Sequence, residues 1–354
     1  MRVPTTCVLV CAYTLDRWDA LVAAVRSALI QEPGPDEVLV VIDHNDDLFR
    51  RCVEEFRTDL SVRVVASTGR KGLSGARNTG LGATTADIVV FLDDDAQARP
   101  DWLAGLLAPY ADPRVVAVGG AAEPAFPPGH RRPALLPSAQ PDESGVRGEL
   151  DWVVGCTYTG QPARLADVRN LMGCNMSFRR DVFASVGGFS EDLGRVGTVP
   201  LGCEETELCL RVGIVMPDAR IVFEPRATIS HQVSEQRLTW KYLWRRCYAE
   251  GVSKAAVSSM IQRPAALETE RAYVARVLPT AVLRQVRQAV GQPGRRIAGA
   301  QGAAAIVLAL TATAAGFGIG AVALRTSGKV HTHQVPSRIG SANVSPVEVW
   351  ERVP

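Results

Sequence analysis

Apolar runs of strand length alternate with helix-like segments through the first part of the chain. The runs are CVLVCAY, VLVVID, VRVVAS and DIVVFLDDD, and the segments between them include residues 16–30, DLFRRCVEEF and the Gly-rich GLSGARNTGLGAT. Continuous Val, Ile and Leu runs separated by helices are typical of a parallel sheet that is covered on both faces. The pattern therefore predicts an α/β fold with a Rossmann-like, mostly parallel sheet flanked by helices.

The pattern changes in the middle of the chain. Residues 121–148 are rich in proline and polar side chains, which indicates a long loop or an insertion. Structure is predicted to resume near Trp152, with helices at DVFASV and CEETELCLRVG and a strand at RIVFEP. Residues 238–260 form a further helical pattern in which Trp and Tyr stand beside Lys and Arg. Such a mixture fits a membrane interface, and it fits equally well a packing helix with a solvated basic face.

The C-terminal part contains a long uncharged segment. No residue between Arg296 and Arg325 carries a charge, and residues 302–324 are enough to cross a hydrocarbon core of about 30 Å. A buried helix is the alternative, although an uncharged run of this length is difficult to enclose in a small soluble domain. We therefore predict one transmembrane helix. The basic residues that precede it favour a cytosolic N-terminal side, and thus a single-pass protein of the cell membrane.

These features divide the chain into four parts. Residues 1–235 are predicted to form the α/β domain that carries the site, 236–296 a helical region that could lie at the membrane surface, 297–325 the transmembrane helix and 326–354 a polar tail. The N-terminal apolar run is short and lacks a small-residue cleavage pattern after it, so we expect no secretory signal.

Charge and cysteine content exclude other classes of protein. The formal net charge is +2 over 354 residues, which argues against a nucleic-acid-binding protein with a strongly basic face. The eight cysteines show no CxxC pair, so a structural zinc site or a disulfide framework is not expected.

Three consecutive aspartates end the fourth apolar run. Asp93 and Asp95 are two positions apart and are able to face the same way, and carboxylate oxygens are the ligands that Mg²⁺ and Mn²⁺ prefer. In a parallel sheet, ligands bind beyond the carboxyl ends of the strands, where Tyr13 and Asp43 are also expected. The cluster therefore predicts a divalent-cation site that could hold a diphosphate. The alternatives are a solvated acidic turn or the N-cap of the helix near RPDWLAGLL.

A second acidic cluster begins the helix CEETELCLRVG and comprises Glu204, Glu205 and Glu207. Acidic side chains in a first helical turn stabilise the helix dipole, which is the structural alternative. If Glu204 or Glu205 projects into the cleft, it would serve as a general base.

Taken together and in this order, these motifs resemble the inverting family 2 glycosyltransferases of GT-A fold. The resemblance covers about residues 3–255 and rests on VLVCAYTLDRWDALVAAVRSAL, VLVVIDHNDD, GLSGARNTGLGATTADIVVFLDDDA, GCNMSFRRDVFASVGGFSE and CEETELCLR. It implies transfer of a sugar from a nucleotide-sugar donor to an acceptor hydroxyl in a single displacement that inverts the anomeric carbon. Mn²⁺ or Mg²⁺ would stabilise the departing nucleoside diphosphate.

The resemblance implies roles for residues on the nucleotide side. Asp43 matches the aspartate that contacts uracil, while Tyr13 and the backbone around Ala12 flank the nucleotide. Arg77 would help to hold the nucleotide or its diphosphate. Asp94, in the middle of the DxD motif, would assist.

The metal ligands and the base are also implied by the resemblance. Asp93 and Asp95 match the acidic DxD positions, with Asp95 as a direct ligand. His231, in ISHQV, stands where some relatives place a histidine near the metal or diphosphate, and a structural histidine is the alternative. Glu205 aligns with an aspartate that acts as the base in relatives. Because Glu is one methylene longer, Glu204 stays open as the base.

The segment GCNMSFRRDVFASVGGFSE implies contacts of Asn175, Arg179 and Arg180 with the donor sugar or the acceptor. VVIDHNDDL, GCEETELCLR and the C-terminal apolar segment resemble, more narrowly, the glucosyl-dolichyl-phosphate glucuronosyltransferases. That subgroup implies UDP-glucuronate as donor and a polyprenyl-linked acceptor at the membrane. The candidates for contact with the sugar carboxylate are Arg169, Arg179, Arg180 and Arg195.

Other functions stay open from the sequence. One is a family member that builds a cell-surface polysaccharide or glycolipid from another donor sugar. A catalytically inactive membrane-anchored scaffold would not need the two intact acidic motifs. A nucleotidyltransferase is expected to carry an N-terminal Gly-rich loop, and VLVCAYTLDR contains no glycine.

Overall fold

The computed structural model describes residues 4–140, 145–194, 201–261 and 268–326. Across these ranges, nine strands form one sheet. The strands are β1 (Thr6–Ala12), β2 (Glu37–Ile42), β3 (Val62–Ala66), β4 (Ile88–Asp93), β5 (Ala96–Ala98), β6 (Val115–Ala125), β7 (Ala166–Asp167), β8 (Asn175–Arg179) and β9 (Arg220–Gln232).

The α-helices connect the strands and then continue beyond the sheet. They are α1 (Trp18–Leu29), α2 (Asp46–Glu55), α3 (Leu73–Ala83), α4 (Trp102–Leu107), α5 (Asp181–Val186), α6 (Glu204–Val215), α7 (Trp240–Ile261), α8 (Glu268–Ala272), α9 (Leu278–Gly291) and α10 (Arg296–Thr326). A π-helical turn, Tyr273–Val277, joins α8 to α9.

The sheet is half parallel. The strand order is β3–β2–β1–β4–β8–β6–β9–β5, and β7 pairs with β9. The neighbours β3, β2, β1 and β4 are parallel, so the parallel N-terminal half is confirmed. The sheet as a whole is mixed rather than mostly parallel, because β8 runs antiparallel to both β4 and β6.

The two faces of the sheet are buried in separate cores. Along β1, Val8 and Val10 pack with residues of α1, α2 and α4, whereas Cys7 and Leu9 pack with residues of α3, α5 and α6. Side chains alternate in this way because successive residues of a strand point to opposite faces. Burial on both faces explains why the strands appear in the sequence as continuous apolar runs.

The chain reverses direction directly after the three aspartates. The short strand β5 pairs antiparallel with β9, and Ala96 lies opposite His231. The N–H of Gln232 donates to the carbonyl of Asp95 at 2.8 Å. This pairing brings His231 next to the aspartates, although the two segments are far apart in the sequence.

The helices α7 and α10 pack with their backbones in close contact. At Gly251 and Gly316, an added Cβ would collide with backbone atoms of the opposite helix, at Thr313 and Tyr248 respectively. Small residues allow helices to approach this closely.

Among the described residues, one helix, Pro293–Arg325, is long and apolar enough to cross a membrane. The packing against α7 covers part of it, and 33% of its most apolar stretch is buried. Ala309 and Ala312 face the protein, while Val307, Ile319 and Val322 are exposed.

The Pro-rich segment is shorter than predicted. β6 continues through Ala125, because residues 121–125 pair with residues 228–232 of β9. Further on, Leu136 is fully buried and Arg132 forms a bidentate ion pair with Asp151, which anchors the segment. The predicted polar tail lies outside the described residues from 327 onward.

Candidate active site

A cleft of about 1800 Å³ opens at the edge of the sheet where β1, β2 and β4 end. Its walls also include the first turn of α6, the end of β9 and residues of α7, α8 and α10. Ten of the predicted site residues line it: Ala12, Tyr13, Asp43, Arg77, Asp93, Asp94, Asp95, Glu204, Glu205 and His231. The fold therefore brings most of the predicted site into one space.

Asp93, Asp95 and His231 converge in this cleft. One ligand atom from each lies within 4.8 Å of the other two, and His231 Nε2 is 3.2 Å from Asp95 Oδ1. Two carboxylates and an imidazole suit Mn²⁺ and related divalent ions. Gly155 leaves room for the imidazole, since its φ of 85° favours glycine and a Cβ there would press on the His231 ring. These three residues could hold a metal ion.

The charges around the aspartates are unevenly compensated. Burial raises the pKa of Asp94 to about 7, with the charges of Asp95 and Asp93 adding to the shift and Arg17 opposing it. Asp94 Oδ2 is buried without a hydrogen-bond partner among the described residues. Despite its burial, Asp95 has a pKa well below the usual range, because His231 and two arginines stabilise its ionised form. An added cation would stabilise such a cluster.

Two arginines that sequence reasoning missed complete this acidic cluster, which comprises Asp93, Asp94, Asp95, His231, Arg17 and Arg237. Arg17 Nη1 donates to Asp94 Oδ1 at 2.6 Å and lies 3.2 Å from Asp95 Oδ2. Arg237 Nη2 donates to Asp95 Oδ2 at 3.1 Å. Their position could have revealed them, since Arg17 follows β1 and Arg237 follows β9 by only a few residues.

Glu204 is held in place by a buried arginine. Arg77 is 2% exposed, and its Nη1 donates to Glu204 Oε1 at 2.8 Å. Arg77 Nη2 donates to the carbonyl of Gly173 at 2.8 Å and lies 3.5 Å from Asp93 Oδ1. Arg77 thus ties α3 to α6 and to the end of β4.

Glu205 has a different environment, although it is the neighbour of Glu204. It is half-buried and lines the cleft, and the Thr206 hydroxyl lies 3.5 Å from its Oε1. Burial of the carboxyl group, together with the charge of Glu204, raises the pKa of Glu205 to about 8. We refer to Glu204 and Glu205 as the glutamate pair: Glu204 is fixed by an ion pair, and Glu205 is a carboxyl group with a raised pKa on the cleft wall.

Asp43 lies between the end of β1 and the start of α3. Its N–H donates to the carbonyl of Ala12 at 2.8 Å, and its Oδ2 accepts from the N–H of Gly72 at 3.0 Å. The Asp43 Oδ1 is 2.7 Å from His44 Nδ1. Asn45 Nδ2 donates to the carbonyl of Tyr13 at 3.0 Å, which fixes the neighbouring turn. The residues predicted for the nucleotide side are therefore adjacent.

Three residues predicted near the sugar, Asn175, Arg179 and Arg180, are not found among the described residues that line the cleft. Asn175 is fully buried and donates to two backbone carbonyls at 2.8 and 3.0 Å. Arg179 likewise donates to two backbone carbonyls at 2.8 Å, and Arg180 to one at 3.1 Å. Because β8 is antiparallel to β4, Arg179 lies opposite Ile88, at the other end of the strand from Asp93. Asn175 lies opposite Leu92, at the cleft end, but its side chain is held in the core, where its Oδ1 also accepts from Trp102 Nε1 at 2.8 Å. The structure therefore places these three side chains outside the described lining of the cleft.

A second charged cluster lies in the same cleft, and we call it the Arg169 cluster: Arg169, Arg246, Glu250, Lys254 and Glu270. Arg169 forms a bidentate ion pair with Glu270, at 2.7 and 2.8 Å. Lys254 Nζ is 2.6 Å from Glu270 and 3.1 Å from Glu250, which also pairs with Arg246 at 2.8 Å. Arg246 and Lys254 therefore point into the cleft instead of forming a solvated basic face. Arg195 lies outside the described residues.

Comparison with known proteins defines the class. The family model of glycosyl transferase family 2 matches residues 7–187. The chain is 31% identical over 287 residues to the glucosyl-dolichyl phosphate glucuronosyltransferase of Haloferax volcanii, which covers 81% of this chain and 87% of that protein. The chain belongs to glycosyltransferase family 2, and it is a glycosyltransferase, as the motifs predict.

One further relative agrees with this assignment, and a solved structure agrees with the fold. The chain is 29% identical over 181 residues to the pre-mycofactocin glycosyltransferase of Mycobacterium tuberculosis, covering 51% of this chain and 34% of that protein. Among solved structures, the mannosyltransferase from Pyrobaculum calidifontis in complex with GDP-Man and Mn²⁺ has a TM-score of 0.55 at 20% identity, covering 92% of this chain and 88% of that one. The GT-A fold is confirmed.

Proposed function

We propose that this glycosyltransferase moves glucuronate from UDP-glucuronate to a hydroxyl of a polyprenyl-linked acceptor, with inversion and with a bound Mn²⁺ or Mg²⁺. The observation that carries the proposal is the convergence of the Asp93–Asp95–His231 trio, Asp43 and Glu205 in one cleft. The similarity to the Haloferax volcanii enzyme supports the choice of glucuronate and of a lipid-linked acceptor.

Asp93, Asp95 and His231 are the residues that would hold the ion. The three residues suit a divalent ion, because their ligand atoms converge and a buried Asp94 oxygen beside them lacks a partner within the described residues. When bound, the ion would provide Lewis-acid stabilisation of the departing nucleoside diphosphate. Ala12, Tyr13 and Asp43 form the adjoining part of the cleft, where the nucleotide would lie.

Glu205 is the base in this proposal. Its raised pKa, near 8, makes the ionised carboxylate a better proton acceptor than an ordinary glutamate. It would take the proton from the acceptor hydroxyl as that oxygen attacks the anomeric carbon. Glu204 would keep its ion pair with Arg77 and so fix the first turn of α6.

A donor and acceptor screen tests the reaction. The full chain is incubated with Mn²⁺, a panel of UDP-sugars or GDP-mannose, and polyprenyl phosphates or their glycosides, and products are identified by mass spectrometry. We expect one glucuronosyl unit on a polyprenyl-linked acceptor, with no product after chelation of the metal. Metal-independent transfer, or transfer of a different sugar, would contradict the proposal.

We also propose that α10 anchors the protein in a membrane, with the α/β domain of residues 1–235 on the cytosolic side and residues 236–296 at the surface. The exposed apolar face of α10, which includes Val307, Ile319 and Val322, supports lipid contact. The same helix lines the cleft with Leu310 and neighbouring residues, so an acceptor held by its lipid would lie next to the site.

Liposome flotation of the full chain tests the anchor. A V307K/V322K double variant places two charges on the exposed face and should shift the protein from the floating to the soluble fraction. V53K is the matched control, because Val53 on α2 is exposed to a similar extent, 44% against 52% for Val307. Equal flotation of the double variant and the wild type would contradict the anchor.

A further inference from the structure

The Arg169 cluster adjoins the glutamate pair. Cys203 Sγ lies 3.5 Å from Glu250 Oε1, and Asn170 Nδ2 donates to Thr206 Oγ1 at 3.3 Å. Asn170 Oδ1 in turn accepts from Arg169 Nε at 3.0 Å. The residues before and after the glutamate pair therefore both contact the cluster or its neighbour. A substrate held at the glutamate pair lies beside these charges.

The carboxylate of Glu270 is bound by Arg169 and Lys254 in the geometry with which proteins bind anionic ligands. Its Oε2 accepts from Arg169 Nη1 at 2.8 Å, and its Oε1 accepts from Arg169 Nη2 at 2.7 Å and from Lys254 Nζ at 2.6 Å. A guanidinium that binds through two parallel hydrogen bonds, with an ammonium beside it, matches a carboxylate or a phosphate. The three side chains are 16–23% exposed and line the cleft, so a ligand can reach them.

The carboxylate in this position comes from a separate element. Glu270 belongs to the short helix α8, whereas Arg169 lies between β7 and β8, and Lys254 belongs to α7. Without Glu270, Lys254 would keep its ion pair with Glu250, whereas Arg169 would lose a bidentate ion pair. Removing one partner of a buried ion pair is destabilising, so an anion at this position is favoured. An incoming carboxylate or phosphate would remake the same hydrogen bonds.

We propose that Arg169 and Lys254 form an anion subsite of the cleft, that Glu270 fills it in the unliganded protein, and that an acidic group of a substrate displaces Glu270. The inference rests on the proposed function, which offers two such groups. One is the carboxylate of glucuronate on the donor, and the other is the phosphate of the polyprenyl-linked acceptor. In either case, the subsite selects substrates that carry an anion, and Glu270 lowers their affinity by competing with them.

Calorimetric titration of the full chain tests the subsite. With Mn²⁺ present, the ligands are UDP, UDP-glucose and UDP-glucuronate; a short-chain polyprenyl phosphate is titrated separately without nucleotide. The E270Q variant should bind the anionic ligand about tenfold more tightly than wild type, because the competing charge is removed. R169Q should bind the same ligand about tenfold more weakly. UDP and UDP-glucose affinities should stay within about twofold in both variants.

The response also identifies the source of the anion. If the variants change the affinity for UDP-glucuronate but not for UDP-glucose, the subsite binds the donor sugar. If they change the affinity for polyprenyl phosphate, the subsite binds the acceptor. E235Q is the matched control, since Glu235 also lines the cleft but its side chain is 71% exposed. If E270Q unfolds, the R169K variant tests the subsite instead. R169K keeps the positive charge but loses the bidentate geometry, so it should bind the anionic ligand about threefold more weakly than the wild type.

Unchanged affinity of the R169 and E270 variants for both anionic ligands would overturn the proposal. Failure of the proposed function gives a different result: the wild-type chain transfers another sugar, or it binds neither UDP nor any UDP-sugar. The titration with polyprenyl phosphate needs no nucleotide, so it still decides whether Arg169 and Lys254 bind an acceptor anion in that case.

Discussion

The two charged clusters of the cleft differ in how their charges are compensated. In the acidic cluster, Asp94 has an oxygen without a partner in the described part of the chain, and burial raises its pKa to about 7. In the Arg169 cluster, Glu250 and Glu270 each accept from two cations. Burial opposes ionisation of Glu250, yet Lys254 and Arg246 lower its pKa to about 2.

This difference separates two ways of preparing a site for a charged ligand. The acidic cluster has arginines on Asp94 and Asp95 but still leaves Asp94 Oδ2 without a partner in the described part of the chain, so a cation from solution would stabilise it further. The Arg169 cluster has its counter-charges supplied by the chain, so a ligand there has to displace one of them. The first arrangement favours binding, and the second favours selection between ligands.

The largest expected effect is on the transfer rate, and it comes from a substitution of Glu205, which lies between the two clusters. Glu205→Gln should lower kcat about 10³-fold while changing the Kd for UDP by less than about twofold, because the amide keeps the shape but accepts no proton. Steady-state transfer and UDP titration measure the two quantities. E235Q serves as the control, and substantial activity in Glu205→Gln would assign the base to another residue.

The next effect tests the acidic cluster as a cation site. Asp95→Asn should weaken Mn²⁺ binding about 100-fold, since it removes a charged ligand. Electron paramagnetic resonance of free Mn²⁺ measures the affinity without any turnover. Asp218→Asn, at an exposed turn, should bind Mn²⁺ like the wild type. Equal affinity in both variants would show that the ion binds elsewhere.

The pH dependence of kcat should report the raised pKa of Glu205. The base acts in its ionised form, so kcat falls as the pH drops below the pKa, by about tenfold per pH unit. With the pKa near 8, the rate should rise from pH 6 and level off above pH 8. A rate–pH profile at saturating substrates measures this. A profile that is flat between pH 6 and pH 8 would exclude Glu205 as a group that titrates in this range.

The smallest expected effect concerns Arg17, which occupies the acidic cluster as a cation of the chain itself. Arg17→Gln should tighten Mn²⁺ binding about threefold in the absence of nucleotide, because a competing positive charge is removed from Asp94 and Asp95. Arg26→Gln, on the helix α1 that follows Arg17 and outside the cleft lining, is the control. Weaker binding in Arg17→Gln would mean that Arg17 organises the ligands instead of competing with the ion.

Much of the site could be predicted because its residues follow strands. Asp43 and the three aspartates come directly after apolar runs, and parallel strands end at the same edge of a sheet. Arg17 and Arg237 also follow strands, but they were missed because they lie several residues beyond the strand ends, in segments with no periodic pattern that shows where their side chains lie. Arg179 and Arg180 were misplaced because the sequence does not show in which direction β8 runs. Asn175 was misplaced because the sequence does not show that its side chain is buried in the core.

The sequence by itself determined the parallel half of the sheet, the acidic motifs and the family, since these depend on local periodicity and on short ordered motifs. Tertiary structure decided which distant residues meet. The pairing of Ala96 with His231 places the imidazole beside Asp95. The antiparallel direction of β8 removes Arg179 and Arg180 from the cleft, and burial of the Asn175 side chain in the core removes a third predicted residue. The packing of α7 and α8 creates the Arg169 cluster. Such contacts depend on strand register and helix packing across the whole chain, which no local pattern contains.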